Sequence, residues 1–483
     1  RASSRFLDFS SSAVKYFITI LLYINLFYLK RVLCIIMRTI FITSFFGLIA
    51  RNILASSVLK ILSQQSGLKI IILVPEEKRK LYQKYFGADN VVVEGIKLNS
   101  IKTLPKMEKL FYSLFLNFSD TAAFRINRLI ERKKYRRYIQ SFLHWTSAKL
   151  GNLRFIRKLL RRLDYQLMPK NKFREYFNKY KPSLIFSTDL FHINDVEIMR
   201  EARFRGIYII GMIRSWDNIT SHGLNRIVPD KLIVNTPKIK EEAIMYNDID
   251  SNNICIVGIP HYDRYVREQR VSREALFKEL NLDPAKRTIV FAPPADLFSG
   301  NDSISVKVIK ELGKLDAQLI IRLYIVGRVQ LGGLRSIPNK IAIDDPSNSG
   351  FFADVDLAMK DSRLADLLYH SDIVVAFASS LAIDAALFNK PVVFIGFDGE
   401  PRPYWKSLRR FYDFDHQKRL LKIGGVKLAK NMDELLNYIQ RYLHNPKLDE
   451  DKRKEVIEEY SWKLDGKSGE RLANFLLEQL KNT

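Results

Sequence analysis

The sequence predicts an α/β protein of two doubly wound domains in tandem. Three observations lead there. From residue 38 onward, short β-branched apolar runs alternate with stretches of helical spacing, the pattern of a parallel sheet covered by helices. The runs are apolar on successive residues, as in strands buried on both faces. A length of 483 residues also exceeds what one ordinary core holds.

Taken in order, RTIFITS (38–44), LKIIILV (68–74), SLIFST (183–188), IYIIGMI (207–213) and KLIVN (231–235) assign a first domain to residues 37–245. A second series is NICIVGIP (253–260), RTIVFAPP (287–294), AQLIIRLYIV (317–326), NKIAID (339–344), SDIVVAFA (371–378) and PVVFI (391–395). These place a second domain at 246–450, with residues 451–483 as C-terminal helices. Residues 1–36 contain an apolar stretch, Phe17 to Leu29, shorter than the roughly 20 residues that span a bilayer. They are expected to be a membrane-associated segment, a signal-type apolar region, or an extension ahead of Met37.

The formal charge is +26 and the sequence pI about 9.8, which calls for anionic partners. The charge is concentrated in a long insertion, about 101–182, where Lys and Arg interleave with Leu, Ile, Phe, Tyr and Trp145 at helical spacing. Such a surface suits the head-group layer of an anionic membrane; an ordinary solvated helical face is the plainer alternative. No recognised nucleic-acid module accompanies the charge, so nucleic acid is not the expected partner. The two cysteines, Cys34 and Cys255, are far apart and suggest neither a disulfide framework nor a metal site. The expected location is cytoplasmic, peripheral on the inner face of the cell membrane.

Chemistry concentrates where strands end. SDIVVAFASSLAIDAALFNKPVVFI (371–395) runs strand, Ser379-Ser380, helix, strand. Hydroxyls at such a junction either cap the helix or, with its free N–H groups and dipole, hold a phosphate or diphosphate. Asp217 follows IYIIGMI in a loop where Trp216 and Asn218 hold it, and it is the leading candidate for a base. Asp189 and His192, after SLIFST, are the alternatives. Arg214 and Arg322 lie at strand ends within reach of a phosphate, and the loop Ser44 to Gly47 is placed to approach a ligand. His416 sits with Tyr412 in an aromatic, basic loop, and is expected to contact donor or acceptor or simply to pack. His261 reads as structural. No HExxH or clustered Cys/His set is present, and Asp354-Val355-Asp356 stands in loop-like surroundings, so no metal is expected.

Several of these stretches resemble a known superfamily. Residues 371–395 look like the nucleotide-diphosphate segment of GT-B fold transferases, with Asp384 at the acidic helix position and Asn389 where Gly is common. VGIPHYD (257–263) resembles the GxPxxD turn of CDP-glycerol glycerophosphotransferase-like proteins and related bacterial surface-polysaccharide transferases. IRSWDNITSHG (213–223) and YDFDHQKRLLKIGGVKLAKNMDEL (412–435) are similar to their SWDNxTSKG and YDSDHY…GGVxLV…EEL segments. The likeness spans about residues 38–450. It implies a GT-B-like pair of Rossmann-like domains facing a cleft, with the donor on the second domain and the acceptor on the first. Ser379, Ser380, Asp384, Arg322, Gly258 and Pro260 would then bind the donor. Asp217, Asp189 or His192 would act on the acceptor, with Ser44, Gly47, Arg214, Trp216, Asn218 and His416 as further cleft residues.

Tyr324-Ile325 stands where many relatives have His-Pro. That departure directs the expectation toward a glycosyltransferase moving a sugar from a nucleotide-sugar donor to a membrane-linked or glycan acceptor. No cofactor is expected beyond the nucleotide-activated donor. The alternatives are a polyol-phosphate transferase of the CDP-glycerol type, a nucleotide-sugar epimerase of the same fold, and a non-catalytic membrane-bound scaffold.

Overall fold

The computed structural model describes residues 38–300, 302–324, 329, 331–346 and 362–483. Residues 1–36 and the Asp354-Val355-Asp356 stretch lie outside them. Among the described residues the strands form two parallel sheets. The first holds β1 (Arg38–Thr43), β2 (Leu68–Pro75), β3 (Val91–Ile96), β4 (Leu184–Ser187), β5 (Tyr208–Met212), β6 (Lys231–Val234) and β7 (Ile254–Ile256), in the order β3-β2-β1-β4-β5-β6-β7. The second holds β8 (Thr288–Ala292), β9 (Gln318–Arg322), β10 (Ile341–Asp344), β11 (Ile373–Ala376), β12 (Val392–Ile395) and β13 (Val426–Ala429), in the order β10-β9-β8-β11-β12-β13. Strand order reverses between β1 and β4 in one sheet and between β8 and β11 in the other. Ligands of open α/β sheets bind outside the carboxyl ends of the strands at such points.

The continuous apolar runs are explained by layers on both faces of each sheet. Along β1, Ile40 and Ile42 enter one core cluster while Phe41 enters another on the opposite face. Along β2, Ile70, Ile72 and Val74 alternate in the same way with Ile71 and Leu73.

NICIVGIP does not open the second sheet, as the sequence reading expected. Its β7 pairs in parallel with β6, Cys255 opposite Ile233, so the first sheet extends past residue 245. The reason is the short crossover: one helix, Pro237–Asn247, separates the strands, and such a unit returns to the neighbouring position. The edge strands β3 and β13 were not foreseen, because Glu94, Gly95 and Lys427 interrupt their apolar runs.

The C-terminal helices divide between the two bodies. Val456 and Tyr460 of the helix Glu450–Ser461 belong to the second core. The helix Ser468–Lys481 crosses back and buries Leu472, Ala473, Leu476 and Leu480 in the first. Asp263 fixes the crossing by accepting the Ser468 and Gly469 N–H groups at 3.0 and 2.8 Å. Close approach requires glycine twice here. A Cβ on Gly258 (φ +87) would stand 2.5 Å from Ser468 Oγ, and one on Gly469 would stand 2.2 Å from Ser57 Oγ.

The insertion is helical throughout: Lys106–Asn117, Ala122–Lys133, Tyr138–Leu150, Arg154–Leu167 and Arg174–Tyr180. It is tied to the first domain by a buried charge cluster, in which Arg226 and Arg200 meet Glu108 and Asp164. Asp248 adds a second anchor, accepting from Arg157 at 2.6 Å and Arg161 at 3.0 Å. Its outer face is different. Ile139, Phe142, Leu143, Phe155 and Leu159 are all more than half exposed. No helix among the described residues is long and apolar enough to cross a membrane.

Candidate active site

The two sheets place their carboxyl-end loops on a common cleft, and named side chains meet across it. Trp216, in the loop after β5, packs its ring 4.9 Å from that of His416 and 5.2 Å from that of Tyr460, both from the second half. His416 Nδ1 lies 3.1 Å from Thr220 Oγ1. Asp217, next to Trp216, is close enough for its charge to act on both Tyr324 and His416. Burial, aided by Asp217, pushes the Tyr324 phenol up. Burial pushes the His416 imidazole down against the opposing pull of Asp217.

The loop carrying Asp217 is rigid for local reasons. Ser215 Oγ donates to Asp217 Oδ1 at 2.5 Å, and the Ser215 N–H donates to Asn218 Oδ1 at 3.1 Å. Thr220 and Ser221 hydroxyls donate to the Asp217 carbonyl. The Asp217 carboxylate is thus held by Ser215, whose own amide is held by Asn218, while Trp216 packs on His416 and Tyr460 and makes no bond to Asp217 here.

An aromatic ledge continues from His416 along the second sheet's strand ends. His416 touches Phe414, which touches Phe411; Phe411 meets Phe298 and Phe377 at 5.6 and 5.2 Å. Phe298 in turn meets Tyr324, whose ring is nearly half exposed. The rings meet edge to face throughout, with interplanar angles of 63° to 89°, an apolar lining against which a planar ligand could pack.

At the switch point of the first sheet stands a polar network. Asp189 accepts the Phe191 and His192 N–H groups at 2.7 and 3.1 Å and is paired with Arg214, whose guanidinium lies 3.8 Å over the Phe46 ring. Burial raises the Asp189 carboxyl, but Arg214 and the amide donors outweigh it, and the net position is below the usual carboxylate range. Asp195 is also buried. Its Oδ1 accepts from Thr43 at 2.5 Å and from Ser187 at 3.0 Å. Ser44 is buried with no partner for its Oγ among the described residues. Gly47 follows in the turn that leads to the helical segment Ala50–Leu54, its carbonyl accepting the Ala50 N–H at 3.3 Å.

The residues expected to hold the donor are arranged otherwise. Ser379 Oγ accepts the Leu381 N–H at 3.2 Å, and the Ala378 N–H is taken by Tyr412, so two of the junction's amides have partners within the chain. Ser380 is exposed. Arg322 is paired with Asp344, directly opposite it on β10. Asp384 bonds Tyr262 at the domain crossing. Gly258 and Pro260 also belong to that crossing, under the C-terminal helix. These four residues therefore serve packing and pairing in this conformation. Among the described residues no cluster of three or more His, Cys, Asp or Glu could hold a metal ion.

Sequence reasoning passed over Asp195, Thr43 and Ser187. The signal available was the spacing Asp189, His192, Asp195, which puts two carboxylates three residues either side of an imidazole.

Comparison with known proteins gives the family. A family model described as CDP-glycerol:poly(glycerophosphate) glycerophosphotransferase matches residues 224–478. The chain belongs to that family. The match takes in β6, β7, the whole second sheet and most of the C-terminal crossing, including His416 and Tyr324. Two curated relatives of Bacillus spizizenii are similar. One is a teichoic acid poly(ribitol-phosphate) polymerase, 26% identical over 257 residues, 52% of this chain and 38% of the relative. The other is a teichoic acid glycerol-phosphate primase, 25% identical over 218 residues, 44% of this chain and 52% of the relative. The matches thus span about half or less of those proteins.

Among solved structures, a UDP-GlcNAc 2-epimerase from Neisseria meningitidis bound to UDP-GlcNAc aligns over 91% of this chain and 100% of its own, with TM-score 0.53 and 11% identity. The S. aureus MnaA–UDP structure aligns over 92% and 97%, with TM-score 0.52 and 14% identity. At that identity the likeness is one of fold. The GT-B-like architecture expected from the sequence is the architecture of this family member.

Proposed function

We propose that the chain transfers a polyol phosphate from a cytidine-diphosphate-activated donor to a growing polyol-phosphate chain in cell-wall polymer synthesis. The observation that carries this reading is the family match over the entire second sheet, the half in which the aromatic ledge and His416 face Asp217. Both curated relatives are named for polyol-phosphate chemistry, ribitol in one and glycerol in the other. Of the groups weighed from the sequence, the polyol phosphate is therefore preferred to the sugar.

The architecture supports the assignment of roles. Donor nucleotide stacks on the ledge of Tyr324, Phe298 and Phe411, and the acceptor end enters beside the strand ends β1, β4 and β5. The exposed apolar and basic helices 138–150 and 154–167 rest on an anionic membrane, which would place the protein peripherally on its inner face. The sugar-transfer reading retains one observation in its favour, the tyrosine at 324 where many relatives have histidine. One assay separates the readings. The protein is incubated with a polyol-phosphate acceptor and CDP-glycerol, CDP-ribitol or a panel of nucleotide sugars, and the released nucleotide is measured. CMP release from a CDP-polyol that depends on acceptor supports the proposal. Nucleoside diphosphate release from a sugar donor overturns it in favour of sugar transfer, and donor conversion without acceptor indicates an epimerase. Vesicle binding without turnover of any donor leaves the scaffold.

A further inference from the structure

At the switch point between β1 and β4, His192, one of the three residues expected to act on the acceptor, is paired with Asp195. His192 caps the helix Ile193–Phe204, and Asp195 lies in its first turn. The imidazole Nδ1 stands 3.3 Å from Asp195 Oδ2, an ion-pair contact whose N–H is not yet aligned for a hydrogen bond. Catalytic contacts are often loose in this way before a substrate closes the site. The other Asp195 oxygen is held by the hydroxyls of Thr43 and Ser187. The backbone of His192 is held by Asp189, and its ring lies 6.2 Å from that of Phe45, at the end of β1. The side chain nevertheless remains 31% exposed.

We propose that His192 is the base that takes the acceptor hydroxyl's proton, and that Asp195 is the positioning residue that holds its ring. The inference rests on the transferase reading. With Nδ1–H directed at Asp195, the lone pair of Nε2 is free to accept. The acceptor O–H bond then breaks, its proton passes to Nε2, and the oxygen forms a bond to the polyol-bearing phosphorus of the donor. The bridging P–O bond breaks, its electron pair stays on the departing oxygen, and CMP leaves.

The alternatives are less suited. Asp189 is held by Arg214 and two amides, and its carboxyl lies below the usual range. Asp217 has one carboxylate oxygen taken up by the Ser215 hydroxyl at 2.5 Å, whereas His192 keeps a ring nitrogen free. The charged groups facing His192 are Asp195, Asp189 and Arg214. Burial lowers its pKa, but the two carboxylates outweigh burial and Arg214, so that it sits above the ordinary value.

The test combines rate and titration in the full-length protein. The pH profile of CMP release is measured for wild type, H192A, D195N and D217N, and the imidazole of His192 is titrated by NMR, with H192Q identifying its signal. H192A is expected to lose about 10²- to 10⁴-fold in kcat, with partial rescue by added imidazole. D195N, nearly isosteric, is expected to fold, to lower the His192 midpoint, and to carry the acid limb of kcat down with it. A wild-type profile in H192A, or an unmoved midpoint in D195N, overturns the proposal; loss confined to D217N transfers the role there. If wild type releases no CMP from any CDP-polyol, the transferase reading fails first, an outcome distinct from an active wild type with an inert dyad.

Discussion

Trp216 of the first domain meets His416 of the second edge to face, ring centroids 4.9 Å apart, and His416 is further bonded to Thr220. An aromatic contact thus joins the two halves here, beside the ion pair of Glu242 with Arg419. Trp216→Ala removes the contacts to His416 and Tyr460 together. Each aromatic pair contributes about 0.5–1.5 kcal/mol beyond its buried area, so urea denaturation should register a loss of a few kcal/mol. Small-angle scattering should show a larger radius of gyration if the contact holds the halves together. An unchanged radius would mean that the C-terminal helix and the Glu242–Arg419 pair suffice to set their spacing.

Two buried histidines make the domain crossing sensitive to acid. Burial pushes the imidazoles of His261 and His416 below 6.5, with Arg51 and Arg264 adding to the effect at His261. As pH falls through 6.5 the unfolded chain takes up protons that the folded one refuses, so stability declines. His192 acts in the opposite sense: its pKa is raised, and its contribution is present at low pH and lost as pH rises through the folded value. Against His261 and His416 stand His192 and carboxyls raised by burial, among them Asp195 and Glu242, so the two histidines add a downward slope to the denaturation midpoint as pH falls from 7 to 5. His416→Gln should flatten that slope.

Much of this fold was readable because β-branched runs buried on both faces leave no other assignment. The misplacement of β7 came from topology. Its composition fits either sheet, and only the one-helix crossover from β6 decides. The site was less legible for a related reason. Arg322 looked available for phosphate, but Asp344 stands opposite it across β9 and β10, a pairing that requires knowing the strands are neighbours. Asp384 likewise reaches Tyr262, 122 residues away in sequence. The hydrogen bonds around Asp217 and Asn218, by contrast, are local, made by Ser215 two and three positions away, and only the partners of Trp216, His416 and Tyr460, lie far along the chain.

The buried cluster under the insertion is predicted to matter more for stability than any surface pair. Asp164 is fully buried against Arg200 and Arg226, and Glu108 shares both guanidiniums. Removing one member leaves buried charge uncompensated, at a cost of about 3–5 kcal/mol. Asp164→Ala should therefore lower the urea midpoint strongly and open the 106–167 segment to trypsin. By contrast, Lys238→Ala, which breaks an exposed pair with Glu241, should change stability by less than about 1 kcal/mol.

The outer face of the insertion sets a separate test. Ile139 and Phe155 are 79% and 67% exposed, with Phe142, Leu143 and Leu159 alongside, an arrangement that water alone does not favour. Lys133, Lys134, Arg136, Arg137, Arg154, Lys158 and Arg162 are also exposed on this segment. An anionic bilayer satisfies both features at once: apolar side chains enter the acyl boundary, and each basic residue near the surface contributes about 1 kcal/mol. The full chain should therefore co-sediment with phosphatidylglycerol vesicles, less with phosphatidylcholine ones, and less again as salt is raised. Phe142→Ser/Phe155→Ser should weaken binding at every salt concentration, because it removes insertion. Lys133→Gln/Arg137→Gln should weaken it chiefly at low salt. Equal binding to both lipids by the double serine variant and by wild type would show that this face meets something other than a membrane.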